Sequence, residues 1–243
     1  MTEELKYKLT EEYITISNKK LYRIEALKDF ADIKKGDKGG FIENEDNLSQ
    51  AGNCWVSDNA KVYDYAHIQG NALIYGNAEV YDSAEVFDEA EVCDNAKVYE
   101  YAWVYDYAEV RNSVEVRNDA EFCGEAQVYG NSVIYGEAKV CGNAKICGYA
   151  EVSGNAKIKD NASVSDQACV CDNALVYGNA LIYDDAYVCS NSEVYDNVKI
   201  CGNACICGNV EVYGNTIIKN NSDLKKWKND KRRANNCRSK EIL

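Results

Sequence analysis

At 243 residues the chain is long enough for one or two domains, and its formal net charge of −13 argues against a surface that coats nucleic acid or an anionic membrane. It has no proline, 16 glycines and 19 tyrosines, a mixture unlike an ordinary globular domain. The charge is unevenly divided: −2 over residues 1–50, −17 over residues 51–218 and +6 from residue 219 onward.

The opening stretch MTEELKYKLTEEY is charged and lacks an apolar run, so it does not read as a signal peptide. No run of about 18 apolar residues predicts a membrane span. Twelve cysteines without an export signal point to a reducing compartment, and the cytoplasm is the expected location. EYITIS and LYRIEAL alternate or run apolar like strands, with NKK between them as the turn. Residues 1–50 are therefore expected to form a small β cap, covering strand edges that would otherwise invite aggregation.

From Val56 a six-residue repeat takes over. Every sixth position to Ile218 is aliphatic or Phe, 28 positions without a slip, and only Phe122 is neither Val nor Ile. Two residues before each following anchor, from Ala60 to Thr216, the residue is small, Ala at 21 of 27 positions. Large and small inward residues alternate and fill a narrow prism, while Gly, Asn and Asp suit left-handed corners. Three short strands and three corners make an 18-residue coil, and coils stack about 4.8 Å apart, so roughly nine of them build a rod on the order of 45 Å long. The absence of proline fits, since proline would remove ladder donors.

The unit V-Y-G-N-A-x resembles the hexapeptide repeat of left-handed parallel β-helix proteins, and the handedness is what the resemblance implies. The expected fold is all-β: a single-stranded left-handed parallel β-helix over residues 51–218. It carries a cap over residues 1–50 and a short basic tail, helical in the packed case, over residues 219–243. Trp227 in that tail is expected to pack on the last coil. The lead-in LYRIEALKDFADIKKGDKGGFIENEDNLSQAGNCWV is similar to that of YdcK-like hexapeptide-repeat proteins of bacteria and prophages. Members are often labelled acyltransferases on fold grounds, so the resemblance implies a bacterial or phage origin and no established reaction.

The cysteines fall into register. Stacking by 18 makes a column of Cys171, Cys189 and Cys207 flanked by Cys169 and Cys205. A soft-metal site would use such thiolates. Other columns carry Tyr in the same slot, so the expectation is a stack of small soft hydrophobes with no structural metal and no disulfide in the cell.

An acyltransferase of this class uses a histidine general base and often a loop leaving the helix. The chain has one histidine, His67, and no interrupted hexad, so no catalytic residue and no cofactor are assigned. A γ-class carbonic anhydrase needs three histidines, and an ice-binding face needs ranks of threonine; neither is present.

The outward residues are left to carry function. Tyr63, Tyr81 and Tyr99 form one column, with Asp64, Asp82 and Glu100 at the next corner and Tyr65 and Tyr101 beside them. Phe87, Trp103 and Tyr105 cluster on a neighbouring face near Glu85 and Glu121. Aromatics ringed by acids suit protein interfaces, and aromatic ladders also stabilise stacked strands by themselves. Lys61, Glu79, Lys97 and Glu115 alternate in sign, as cross-strand ion pairs do. Residues 51–122 hold 15 acids and four bases. That is roughly one net charge per 1.8 Å of axis, against about one per 1.7 Å for duplex DNA. The favoured expectation is a non-enzymatic acidic rod that binds a protein. Its partner would be a cationic nucleic-acid-binding host or defence protein, met by a phage-encoded DNA mimic that touches neither membrane nor nucleic acid itself. The alternatives are an acyl-CoA-dependent acyltransferase and a structural spacer or homo-oligomer, dimeric or trimeric.

Overall fold

The computed structural model describes residues 4–238, with side chains as far as Lys231. Twenty-eight two-residue strands, from Trp55–Val56 to Ile217–Ile218, each end on one anchor of the repeat. They sort by threes into three parallel faces, so that Val62 pairs with Val80, Ile68 with Val86 and Ile74 with Val92, always 18 residues apart. The result is a parallel β-helix of about ten turns.

The local chemistry explains the regularity. Anchors and alanines are fully buried and form one continuous apolar core from the cap to Leu224. Amides reach the coil above, as in Tyr63 N–H to Val80 C=O at 3.1 Å and Glu79 N–H to Ala96 C=O at 2.9 Å. Corners sit in the left-handed region, with φ of 56° at Asp82, 62° at Asp94 and 60° at Glu100. Short polar side chains tolerate this backbone, and here they have a further task. Corner carboxylates accept the corner amide one coil on: Asp58 from Gly76 at 3.0 Å, Asp94 from Asn112 at 3.0 Å, Asp172 from Ser190 at 3.0 Å and Asp196 from Gly214 at 2.9 Å. Much of the acidic excess is thus a consequence of building corners that satisfy their own amides.

The cap is a meander of β1 (Tyr7–Ile16), β2 (Lys19–Ala26) and β3 (Lys38–Ile42). The sequence predicts the turn at NKK; the structure places it at Ser17 and Asn18, with φ of 47° and 68°. Two consecutive left-handed residues match the twist of a two-residue hairpin, and Lys19 and Lys20 are free to join β2. β3 pairs antiparallel with β2 on one side and parallel with Lys61–Val62 on the other, which grafts the meander onto the first coil. Only glycine fits that graft. A Cβ on Gly39 would lie 2.5 Å from the Val56 carbonyl oxygen, and one on Gly40 2.6 Å from that of Ala60. Beneath the cap Trp55 is buried between Tyr7 and Phe30, at ring separations of 6.4 and 5.4 Å. Lys6 is buried as well; its Nζ donates to the Cys54 carbonyl at 2.9 Å and lies 3.3 Å from that of Ala51.

At the other end α1 (Asn221–Arg238) begins on a cap in which Asn220 Oδ1 accepts from Ser222 N–H at 2.9 Å. Trp227 meets the Tyr213 ring edge-on at 5.8 Å, and Asn221 Oδ1 accepts from the Cys205 amide at 2.9 Å. Residues 239–243 of the predicted tail lie outside the described residues. Among the described residues no helix is long and apolar enough to cross a membrane.

One expectation is corrected. The sequence predicts unpaired thiols in the Cys171 column; the structure joins Cys189 to Cys207. In-register stacking sets their Cα atoms 4.8 Å apart, inside the span a disulfide bridges, and the 18-residue closure is worth roughly 3 kcal/mol. Of the alternating charge column, Lys61 Nζ and Glu79 Oε1 close to 2.9 Å.

Candidate functional site

The aromatic columns stack as the register dictates. Tyr63, Tyr81 and Tyr99 lie ring on ring at 5.1 and 4.9 Å, with planes 3° apart. Their hydroxyls turn to carboxylates, Tyr63 to Glu79 at 3.5 Å and Tyr99 to Glu115 at 3.2 Å. Tyr63 is only 8% exposed, because Leu21 and Phe41 of the cap pack over it, so the foot of this column is closed to a partner. Burial first, and then the Glu79 carboxylate, holds the Tyr63 phenol well above its ordinary pKa.

The three corner acids beside that column are engaged. Asp64 pairs with Lys19 of the cap, and its amide donates to Glu43 Oε2 at 2.8 Å. Asp82 accepts from the Glu100 amide at 3.3 Å, and Glu100 accepts from the Asn118 amide at 2.8 Å. On the next face Phe87 stacks on Tyr105 at 5.0 Å and meets Trp103 edge-on at 6.4 Å. Trp103 is 44% exposed and Tyr101 64%, and the two flank a shallow cavity with Glu85, Asp119 and Glu121 on its rim. The structure therefore brings Phe87, Trp103 and Tyr105 together, with Trp103 exposed and the other two half-buried, and closes Tyr63 beneath the cap.

A second location was not legible from the repeat. Where the cap meets the first coils, Lys19, Glu43, Asp46, Asn47, Asp64, Tyr65 and His67 line an open cavity of about 420 Å³. A single 3-10 turn, Glu45–Asn47, forms one wall. Asn44 caps it by accepting from the Asp46 amide at 2.8 Å, and Asn47 Nδ2 ties it to the Ala66 carbonyl at 2.9 Å. This aims the Asp46 carbonyl at His67, whose Nδ1 lies 2.7 Å away. A carbonyl oxygen only accepts, so Nδ1 carries a proton, and in the neutral ring Nε2 is the acceptor. Lys19 bridges Asp64 and Glu43, the latter at 3.6 Å. The pattern around His67 is that of any hexad; its hydrogen-bond partner Asp46 comes from 21 residues upstream, on a turn that no periodicity encodes.

An unbroken six-residue repeat wound into three in-register parallel faces defines a hexapeptide-repeat parallel β-helix. Within that class the chain resembles the YdcK-like proteins. It is 41% identical over 61 residues to the "Uncharacterized acetyltransferase YdcK" of Escherichia coli (strain K12). The matched segment is 22% of this chain and 19% of that protein, so the chain spans about a fifth of the relative's length. No family model matches the chain.

Proposed function

We propose that the junction of cap and first coils is an acyl-transfer site with His67 as general base. The observation that carries this reading is the 2.7 Å contact from His67 Nδ1 to the Asp46 carbonyl, which makes Nε2 the proton-accepting nitrogen of the neutral ring at an open cavity. The name of the E. coli relative, an acetyltransferase, supports the same class of reaction. Nε2 takes a proton from the acceptor as its nucleophilic atom attacks the carbonyl of an acyl thioester such as acyl-CoA. The new bond to carbon forms, the C–S bond breaks, and the departing thiolate recovers the proton from the imidazolium. Glu43, Asp46 and Asp64 against the single Lys19 favour an acceptor that arrives as a primary ammonium, gives one proton to solvent and attacks as the amine, over an anionic one. Substituting His67→Gln is expected to lower acetyl transfer from acetyl-CoA to a panel of amines by at least ~10²-fold, measured by release of free thiol. An unchanged rate sinks the reading.

A second reading rests on a separate observation, the exposed Trp103 and Tyr101 among Glu85, Asp119 and Glu121. Solvated aromatics with an acidic rim suit recognition of a basic protein partner or of a second copy of the chain. The corner acids that a duplex mimic would offer in place of phosphates are occupied by backbone amides at Asp82 and Glu100, so the aromatic patch, not the charge density, carries this reading. Tagged protein is passed over bacterial lysate, with elution by rising salt and then by duplex DNA. A basic protein retained by the wild type and lost with Trp103→Ala/Tyr101→Ala supports the patch. Release by DNA would restore the mimic, and equal retention by both proteins removes the patch.

A further inference from the structure

Three sulfurs that neither reading uses meet at the C-terminal end of the rod. Cys189 and Cys207 follow the anchors Val188 and Ile206, which pair in register, and the two are joined. Cys205 stands two residues before Cys207 on the same side of its strand, with its Sγ 2.9 Å from that of Cys207. Cys205 and Cys207 are half-buried and open to a small solute, whereas Cys189 is 6% exposed. A free thiol in contact with one sulfur of a disulfide is the arrangement that thiol–disulfide exchange requires. The site also lies where the rod ends. Cys205–Ile206 is the last strand of its face, and the Cys205 amide is held by Asn221 of α1.

We propose that Cys189, Cys205 and Cys207 form a thiol–disulfide exchange site whose substrate is a low-molecular-weight disulfide of the glutathione class. In the reduced site the Cys207 thiolate attacks one sulfur of RSSR. The bond from Cys207 to SR forms, the S–S bond of RSSR breaks, and the first RS⁻ leaves and is protonated. Cys205 or Cys189 then gives up its proton and attacks Cys207 Sγ, expelling the second RS⁻. Two cysteine thiols become one disulfide while RSSR becomes two RSH, so atoms and electrons balance. Exchange within the site needs no redox partner: the Cys205 thiolate attacks Cys207 Sγ, the bond to Cys189 breaks, and Cys189 leaves as the thiolate. The two products differ in consequence. The Cys189–Cys207 bond staples the last strand of this face to its neighbour, and the Cys205–Cys207 bond leaves that strand unstapled.

The test uses the full chain, reduced, then exposed to oxidised glutathione, trapped with an alkylating agent and mapped by tandem mass spectrometry. The wild type is expected to form protein disulfides at Cys207 with no lasting glutathione adduct there. Cys189→Ser is expected to yield the Cys205–Cys207 disulfide. Cys189→Ser/Cys205→Ser should retain glutathione on Cys207. A glutathione adduct that persists in Cys189→Ser as it does in the double variant overturns the role of Cys205. A wild-type Cys207 that glutathione leaves unmodified overturns the site itself. If circular dichroism shows that Cys189→Ser does not fold, the oxidised wild type decides. Peptides carrying both linkages are expected after equilibration, and the Cys189–Cys207 linkage alone refutes exchange.

Discussion

Truncation of Phe122 to alanine is expected to lower the unfolding free energy by about 3–5 kcal/mol, measured by urea denaturation followed by circular dichroism. Phe122 is fully buried and is the one anchor larger than isoleucine. Its strand pairs with Val104 below and Val140 above, and neither can reach into the space that the ring vacates. The backbone cannot close the gap either, because the spacing of the coils is set by amide ladders such as Tyr105 N–H to Phe122 C=O at 2.9 Å. The cost is therefore expected at the upper part of the range for a cavity. Phe122→Leu should cost less than about 1.5 kcal/mol, since it keeps most of the volume. A coil touches only its neighbours, so the weakened coil is also expected to divide the transition. Hydrogen exchange in Phe122→Ala should rise first in the coils beside residue 122, and a uniform rise along the rod would contradict the one-dimensional account.

That behaviour follows from the same property that made the rod legible in the sequence. In each hexad the anchor and the small residue are the core and a third residue is the corner, so Val62, Ala60 and Asp64 can be assigned from their positions alone. Stacking at 18 residues then places the surface as well, which is why Phe87 and Tyr105 pair by position alone. Where the period stops, so does the legibility. β1 and β2 meet in antiparallel register, and nothing in their composition indicates that Leu21 will cover Tyr63 or that Lys6 will lie beneath the cap. The acids mislead for a different reason. Asp94 serves as a left-handed corner and as the acceptor for the Asn112 amide, a structural use that a count of charges cannot distinguish from a binding surface. Cys189 and Cys207 were placed in one column by the period, but bonding depends on a Cα separation that the period does not state. His67 shows the limit for the candidate site: its hexad is ordinary, and its chemistry comes from a carbonyl in the cap.

The alkaline limb of stability is expected to be steep, and the tyrosine columns are the cause. Twelve tyrosines have folded pKa values above the ordinary one, by burial first at Tyr7, Tyr63, Tyr81, Tyr99, Tyr105, Tyr177 and Tyr195. At Tyr75, Tyr129, Tyr135, Tyr183 and Tyr187 a hydrogen bond to a neighbouring cysteine or glutamate leads. Tyr105 and Tyr183 are pushed up to about 12. Above about pH 10 an unfolded tyrosine loses its proton while the folded one keeps it. The unfolded chain then binds fewer protons, and the unfolding free energy falls as pH rises. Lys6 acts in the opposite sense. Burial first holds its pKa below the ordinary value, so the unfolded chain binds the extra proton, and stability rises with pH between the lowered value and about 10.4. One lysine is set against twelve tyrosines, so the net slope beyond about pH 10 is negative. Cys54, Cys93, Cys141 and Cys169 are likewise held above the ordinary thiol value, so they add to the fall from about pH 8.5. Urea midpoints should therefore drop through the alkaline range and most steeply beyond about pH 10; Lys6→Met is expected to steepen the early part of the drop, and Tyr81→Phe/Tyr99→Phe to soften the later part. The tyrosinate absorbance that Tyr81→Phe/Tyr99→Phe removes should appear together with the loss of circular dichroism, because the stacked phenols ionise only when the rod opens; if that difference absorbance rises near pH 10 in a rod still folded, this account is refuted.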